Sequence, residues 1–107
     1  MDDFRIIYKI LKTLQESMDY ESFDNTRIEQ EELHISEPKW SRIMAMLVNE
    51  GYVTGIQVWN SMSQSYPRVK VMRPELTLKG LEYLEDNTFM KRAANLAKGI
   101  NDTIPGL

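Results

Sequence analysis

The chain has no cysteine, which excludes disulfides and thiol chemistry. Its single histidine, His34, excludes a site built from several histidines of one chain. No apolar run approaches the roughly 18 residues a membrane helix needs. The opening residues Met1-Asp2-Asp3-Phe4 are acidic where a secretory leader is basic. Together these absences predict a cytoplasmic protein that does not enter a membrane. Glycine and proline are sparse, at five and four residues, so each one marks a boundary worth reading.

Chemistry-bearing patterns are missing as well. There is no phosphate-cradling glycine loop, no supported Ser/His/Asp arrangement and no nucleotide fingerprint. Glu29, Glu31 and Glu32 lack the mixed ligands and glycine spacing of a calcium loop. His34 reads as a turn or packing residue. The expectation is a non-catalytic domain with no cofactor, no metal and no evident small-molecule ligand.

What remains is an ordinary globular composition, 42% hydrophobic and 27% charged over 107 residues. That fits one domain spanning 1–107. The net charge is −3, which alone argues against a strongly basic nucleic-acid binder. The charge is unevenly placed, however. Residues 1–38 hold ten acids and four bases, whereas residues 39–107 hold six acids and nine bases. Between Lys39 and Arg73 the only acid is Glu50, against Lys39, Arg42, Arg68, Lys70 and Arg73.

Periodicity divides the chain into elements. Phe4, Ile7, Leu11, Leu14 and Met18 predict a helix over 2–19, capped by Asp2 or Asp3. A connector follows at 20–27, then a short helix over about 28–33 anchored by Ile28 and Leu33. Ser36-Glu37-Pro38 is a start signal for a helix over about 37–50, with Trp40, Ile43, Met44, Leu47 and Val48 as its apolar set. Gly51 supplies its left-handed end. Tyr52, Val53, Ile56, Val58 and Trp59 are strand formers. Residues 60–67 are turn-prone, and Arg68-Val69-Lys70-Val71-Met72 alternates as a half-buried strand that Pro74 closes. Thr77 caps a helix over about 78–86, whose apolar positions are Leu78, Leu81, Tyr83 and Leu84. Gly80 there permits a close approach. A final helix is predicted over about 88–103.

Three helices followed by a hairpin is the order of a winged helix-turn-helix. The expected class is therefore mainly α with a small antiparallel β-hairpin, a core over about 2–86 and an additional C-terminal helix.

Several stretches carry a family resemblance. They are Ile35-Ser36-Glu37, Trp40, Met46-Leu47-Val48-Asn49-Glu50-Gly51-Tyr52-Val53, and Pro74-Glu75-Leu76-Thr77-Leu78-Lys79-Gly80-Leu81-Glu82-Tyr83-Leu84. With these the chain resembles the YjcQ-like family, small winged-helix proteins of Gram-positive bacteria that are often carried on prophages. The resemblance runs from Phe4 to about Ile104. It implies a winged-helix fold and a DNA-binding role, and it transfers no functional residues.

If Trp40, Ile43, Met44 and Leu47 face the core, then Lys39, Ser41, Arg42, Ala45, Met46 and Asn49 lie toward solvent. Lys39 and Arg42 reach phosphates in the DNA reading. Arg42 or Asn49 pairs with purine edges in the major groove, and Ser41 completes the set. On the hairpin, Arg68, Lys70 and Arg73 sit at or near alternating positions, and Gln64 belongs to a polar tip with Ser61, Ser63, Ser65 and Tyr66. These charges equally fit a solvated edge strand. Trp59 and Tyr66 either stack on a ligand or a base, or pack across the hairpin. Met90, Ala93, Ala94, Leu96, Ala97 and Ile100 form a face that either packs on the first helix or makes a homodimer. The leading expectation is a regulator of transcription that binds double-stranded DNA. The alternative is a protein-interaction module using the acids at 29–32.

Overall fold

The structure is a computed structural model, and it describes residues 2–87. The predicted C-terminal helix over 88–103, and with it the homodimer face, lies outside the described residues.

Four helices and one antiparallel hairpin make up the described chain. They are α1 (Asp3–Glu16), α2 (Gln30–Leu33), α3 (Glu37–Asn49), β1 (Val53–Trp59), β2 (Arg68–Leu76) and α4 (Leu78–Asp86). Short 3-10 turns fill the connector at Ser17–Asp19 and Asn25–Ile28.

Local chemistry accounts for most boundaries. Asp2 accepts a hydrogen bond from the Arg5 amide at 2.9 Å and opens α1. The Ser17 hydroxyl donates to the Leu14 carbonyl at 2.7 Å, and the helix tightens into 3-10 geometry instead of running on to residue 19. Ser36 accepts from the Lys39 amide at 3.3 Å and opens α3. The predicted helix over 28–33 is divided, because Glu29 is extended between a 3-10 turn and the single turn of α2.

Helices α2 and α3 end alike. The amide of Ile35 donates to the Gln30 carbonyl and that of Tyr52 to the Leu47 carbonyl, each the longer bond of a Schellman cap. The left-handed residue is Gly51 (φ 78°) after α3 but His34 (φ 55°) after α2. Histidine tolerates this region better than most residues, so His34 is the turn residue here.

The core joins all of these elements. Ile6, Ile10, Leu11 and Leu14 of α1 meet Ile28, Leu33, Ile43, Met44, Leu47, Val53, Ile56 and Leu84. α1 packs against α4 and β2, while α3 packs against both strands. The buried stripe of α1 is turned from the predicted one, because Ile6 is buried while Phe4 and Met18 are exposed. Leu78 is exposed on α4. The indole N–H of Trp40 donates to the Ile28 carbonyl at 2.8 Å and fastens α3 to the connector.

The second strand runs further than its alternation suggests. Pro74 does not close β2; it lies inside it, at a bulge. Val53 and Thr54 pair with Leu76 and Glu75, while Ile56 to Trp59 pair with Val71 to Arg68. Between these two blocks β1 has Gly55 alone, and β2 has Met72, Arg73 and Pro74. Proline has no N–H for the ladder, and a bulge is where that lack does no harm. Gly55 has φ 77°, and a Cβ there would stand 1.7 Å from the Arg73 carbonyl oxygen. No other residue type fits without displacing backbone. Asn25 donates to the Val71 and Met72 carbonyls, both at 3.4 Å, and so reaches the bulge from the connector. The bulge also shifts the alternation. Val53 and Ile56 are both buried although three residues apart.

Candidate nucleic-acid interface

On α3 the core covers more than one side. Besides Ile43, Met44 and Leu47, both Ser41 (3% exposed) and Ala45 are buried. Ser41 was expected on the solvent side, and its burial removes it from any contact surface. A small hydroxyl gives no strong inside or outside signal, so the neighbours pressing on α3 decide its place. Lys39, Arg42, Met46 and Asn49 remain exposed. At 100° per residue they fall within roughly 80° of the helix circumference, so three of the predicted residues share one narrow stripe.

Their electrostatics differ. Lys39 Nζ lies 2.6 Å from Asp3 Oδ1, an ion pair that joins the starts of α3 and α1. Both side chains are well exposed, so the pair adds little stability, but it offsets the charge Lys39 offers outward. Arg42 forms no ion pair among the described residues.

The hairpin has an inner and an outer face. Val58, Val69 and Val71 turn toward the core. Gln57, Trp59, Arg68 and Lys70 are exposed on the other face, where Gln57 pairs with Lys70 and Trp59 with Arg68. Arg68 and Lys70 form no ion pair among the described residues. Arg73 is exposed but separated from them by the bulge. It lines a groove of about 710 Å³ between the connector and β2, with Leu14, Met18, Phe23 and Pro74. Gln64 does not reach outward either, because its amide donates to the carbonyls of Tyr66 at 3.0 Å and Pro67 at 3.4 Å and holds the loop in shape. The Ser61 and Ser63 hydroxyls bond each other at 2.7 Å, which leaves Met62 fully exposed at the tip.

A clasp orients the hairpin on α3. The Thr77 hydroxyl accepts from the Gly80 amide at 3.0 Å, as a cap should, and donates to the Gly51 carbonyl at 2.6 Å. The Thr77 amide donates to the Tyr52 carbonyl. A Cβ on Gly80 would lie 2.4 Å from that same carbonyl oxygen, so the close approach expected at Gly80 is real. Lys79 donates to the Glu50 carbonyl at 2.7 Å and lies over the Tyr52 ring at 5.3 Å. A cation at that point suits the negative end of α3. Tyr52 in turn packs on Tyr83 with ring centroids 5.1 Å apart. Burial, and then the neighbouring Tyr52, push the Tyr83 phenol above its ordinary pKa.

Lys79 and Gln57 were not singled out from the sequence. For Gln57 a signal existed, since it stands two residues before Trp59 and so shares its face of a strand. For Lys79 there was none, because its acceptor lies 29 residues away.

Among the described residues there is no cluster of acids and histidines able to hold a metal, and no helix is long and apolar enough to cross a membrane. The molecule is thus a small mixed α/β domain in which helices carry an antiparallel hairpin with a cationic outer face. The YjcQ protein family model matches residues 8–103, and the chain belongs to that family. It is 29% identical over 104 residues to a Bacillus subtilis (strain 168) protein named "uncharacterized protein YjcQ", an alignment covering 97% of this chain and 99% of that one. No solved structure matches.

Proposed function

We propose that this protein is a winged helix-turn-helix regulator of transcription that binds duplex DNA. In this reading α3 is the recognition helix and the hairpin is the wing. The observation that carries it is the set of exposed cations without an ion-pair partner among the described residues, Arg42 on α3 and Arg68 and Lys70 on the hairpin. Arg42 and Asn49 are the α3 side chains suited to purine edges in the major groove, and Arg68 and Lys70 meet the adjacent backbone. The clasp of Thr77 and Lys79 supports the division of labour, because it holds the base of the wing against the end of α3.

The test is a polarisation titration of labelled duplex DNA of mixed sequence at low and then moderate salt. Affinity should fall steeply with salt, since each phosphate contacted releases counterions. Arg42→Ala should lose about 1–3 kcal/mol of binding with no loss of folding. Absence of binding at low salt with protein near about 100 μM would overturn the reading.

One observation favours a second reading. Glu31 and Glu32 are exposed on α2, in the acidic part of the chain. A basic protein partner would dock there, and Glu29→Gln, Glu31→Gln and Glu32→Gln together would abolish its capture.

A further inference from the structure

The outer face of the hairpin carries a group that a duplex-backbone contact does not use. Trp59 is 44% exposed on a two-stranded sheet, directly across from Arg68. Its ring has no aromatic or cationic partner among the described residues, and its indole N–H has no acceptor there. Trp40 provides the contrast, with its N–H bound to the Ile28 carbonyl. The surroundings of Trp59 are of one sign. Arg68 and Lys70 stand two residues apart on the same face, roughly 7 Å along the strand. From Ile56 to Val71, through the loop at 60–67, there is no acid. Glu75, opposite Thr54, lies beyond the bulge.

We infer that this face binds single-stranded nucleic acid. An unpaired base stacks on the Trp59 indole, and the phosphates on either side of it meet Arg68 and Lys70. Gln57, opposite Lys70, offers an amide to the edge of a neighbouring base. A paired base does not satisfy this arrangement. Inside a duplex the faces of the bases are covered by their neighbours, and only edges and backbone are presented. A flat indole on an open sheet needs a free base face, which unpaired strands provide. An apolar protein surface is a poorer occupant, because covering Trp59 would also strip water from two cations without replacing it. Stacking on an indole is open to every base, so the site tolerates sequence. It does not depend on α3, and it shares only Arg68 and Lys70 with the duplex reading.

The experiment uses the full chain and an oligothymidylate of about twelve nucleotides, within the span of single-strand sites. Trp59 emission should be quenched on titration while the signal of the half-buried Trp40, whose indole is held inward, stays constant. By polarisation, Trp59→Phe should keep most of the affinity and Trp59→Leu should lose it about 5- to 150-fold. Arg68→Ala with Lys70→Ala should reduce the log–log salt slope by about 1.4, the value for two phosphates of a single strand. Thermal melts check that Trp59→Leu is folded, as an exposed position allows. No quenching, or equal binding by the Leu and wild-type proteins, overturns the inference. Duplex binding that falls in Arg42→Ala, with no binding of the oligothymidylate, would leave the duplex reading standing without it. Single-strand binding with no duplex binding would do the reverse.

Discussion

The hairpin is one pair of strands but two different structures, divided at Gly55 and Pro74. On the helix side of the bulge, Val53 and Leu76 sit among groups already committed to one another. Thr77 holds the Gly51 carbonyl, Lys79 holds the Glu50 carbonyl, and Tyr52 packs on Tyr83. On the loop side, Val58 and Val69 still cover the core, but Gln57, Trp59, Arg68 and Lys70 have no side-chain partner among the described residues. The first region is a joint that sets where the hairpin points. The second is a surface whose polar and aromatic groups are available. A chain that leaves a tryptophan and two cations unpartnered gives up local stabilisation in exchange for reach.

The sharpest way to break this division is at the bulge. Gly55→Ala combines a left-handed backbone with a Cβ inside the Arg73 carbonyl. The expected loss is about 3 kcal/mol or more, from conformational strain and overpacking together. Urea denaturation measures it, and a loss below about 1 kcal/mol would mean that the bulge is not the joint.

A smaller effect is expected at the clasp. Thr77→Ala removes the cap of α4 and the bond to the Gly51 carbonyl, for about 1–2 kcal/mol. Thr77→Ser should recover most of this loss, since both bonds belong to the hydroxyl. If Thr77→Ser is as unstable as Thr77→Ala, the methyl packing matters and the clasp does not.

On the loop side, stability should hardly respond. Arg68→Ala and Lys70→Ala should each change unfolding free energy by less than about 0.5 kcal/mol. Duplex binding should respond instead, with the salt slope of the double variant shallower by about 1.8. A large stability loss without a change in slope would assign these cations to the fold.

The smallest effect concerns the connector that reaches the bulge. The Asp24 carboxylate accepts from the Thr26 hydroxyl at 2.7 Å and the Thr26 amide at 3.1 Å. These bonds, the hydroxyl first, hold its pKa below the ordinary aspartate value. The folded chain then takes up this proton less readily than the unfolded chain. The contribution is full above the ordinary aspartate range, and is lost as pH falls through that range toward the depressed value. Asp24→Asn should flatten this part of the stability–pH curve slightly. An unchanged acid limb in thermal melts would show that the turn contributes nothing.

Family membership, the helices and the hairpin were legible because their signals are local or repeated. The cap of α3 needs only Ser36 and the amide three residues on. Gly51 and Thr77 work the same way. The candidate site was legible in part. Lys39, Arg42 and Asn49 do share a stripe, since helical spacing brings such residues together wherever the helix packs. Arg68 and Lys70 share a face because a strand alternates. Arg73 was misplaced with them because three residues of β2 stand opposite Gly55, and a proline in the sequence reads as a stop. Gln64 bonds inward to its own loop, which a polar loop residue does as readily as it reaches outward.

By itself the sequence determined where α1, α3 and α4 start and where α3 stops, where the chain turns, and that its acids and bases are segregated along its length. Those features rest on hydrogen bonds and spacings that span a few residues. Only the tertiary structure decided that α1 buries Ile6 and leaves Phe4 exposed, that Ser41 goes inside, and that Lys79 reaches the end of α3. It also decided that Trp59 stays 44% exposed. Each of these depends on which distant segment packs against a given face, and no local pattern contains that information.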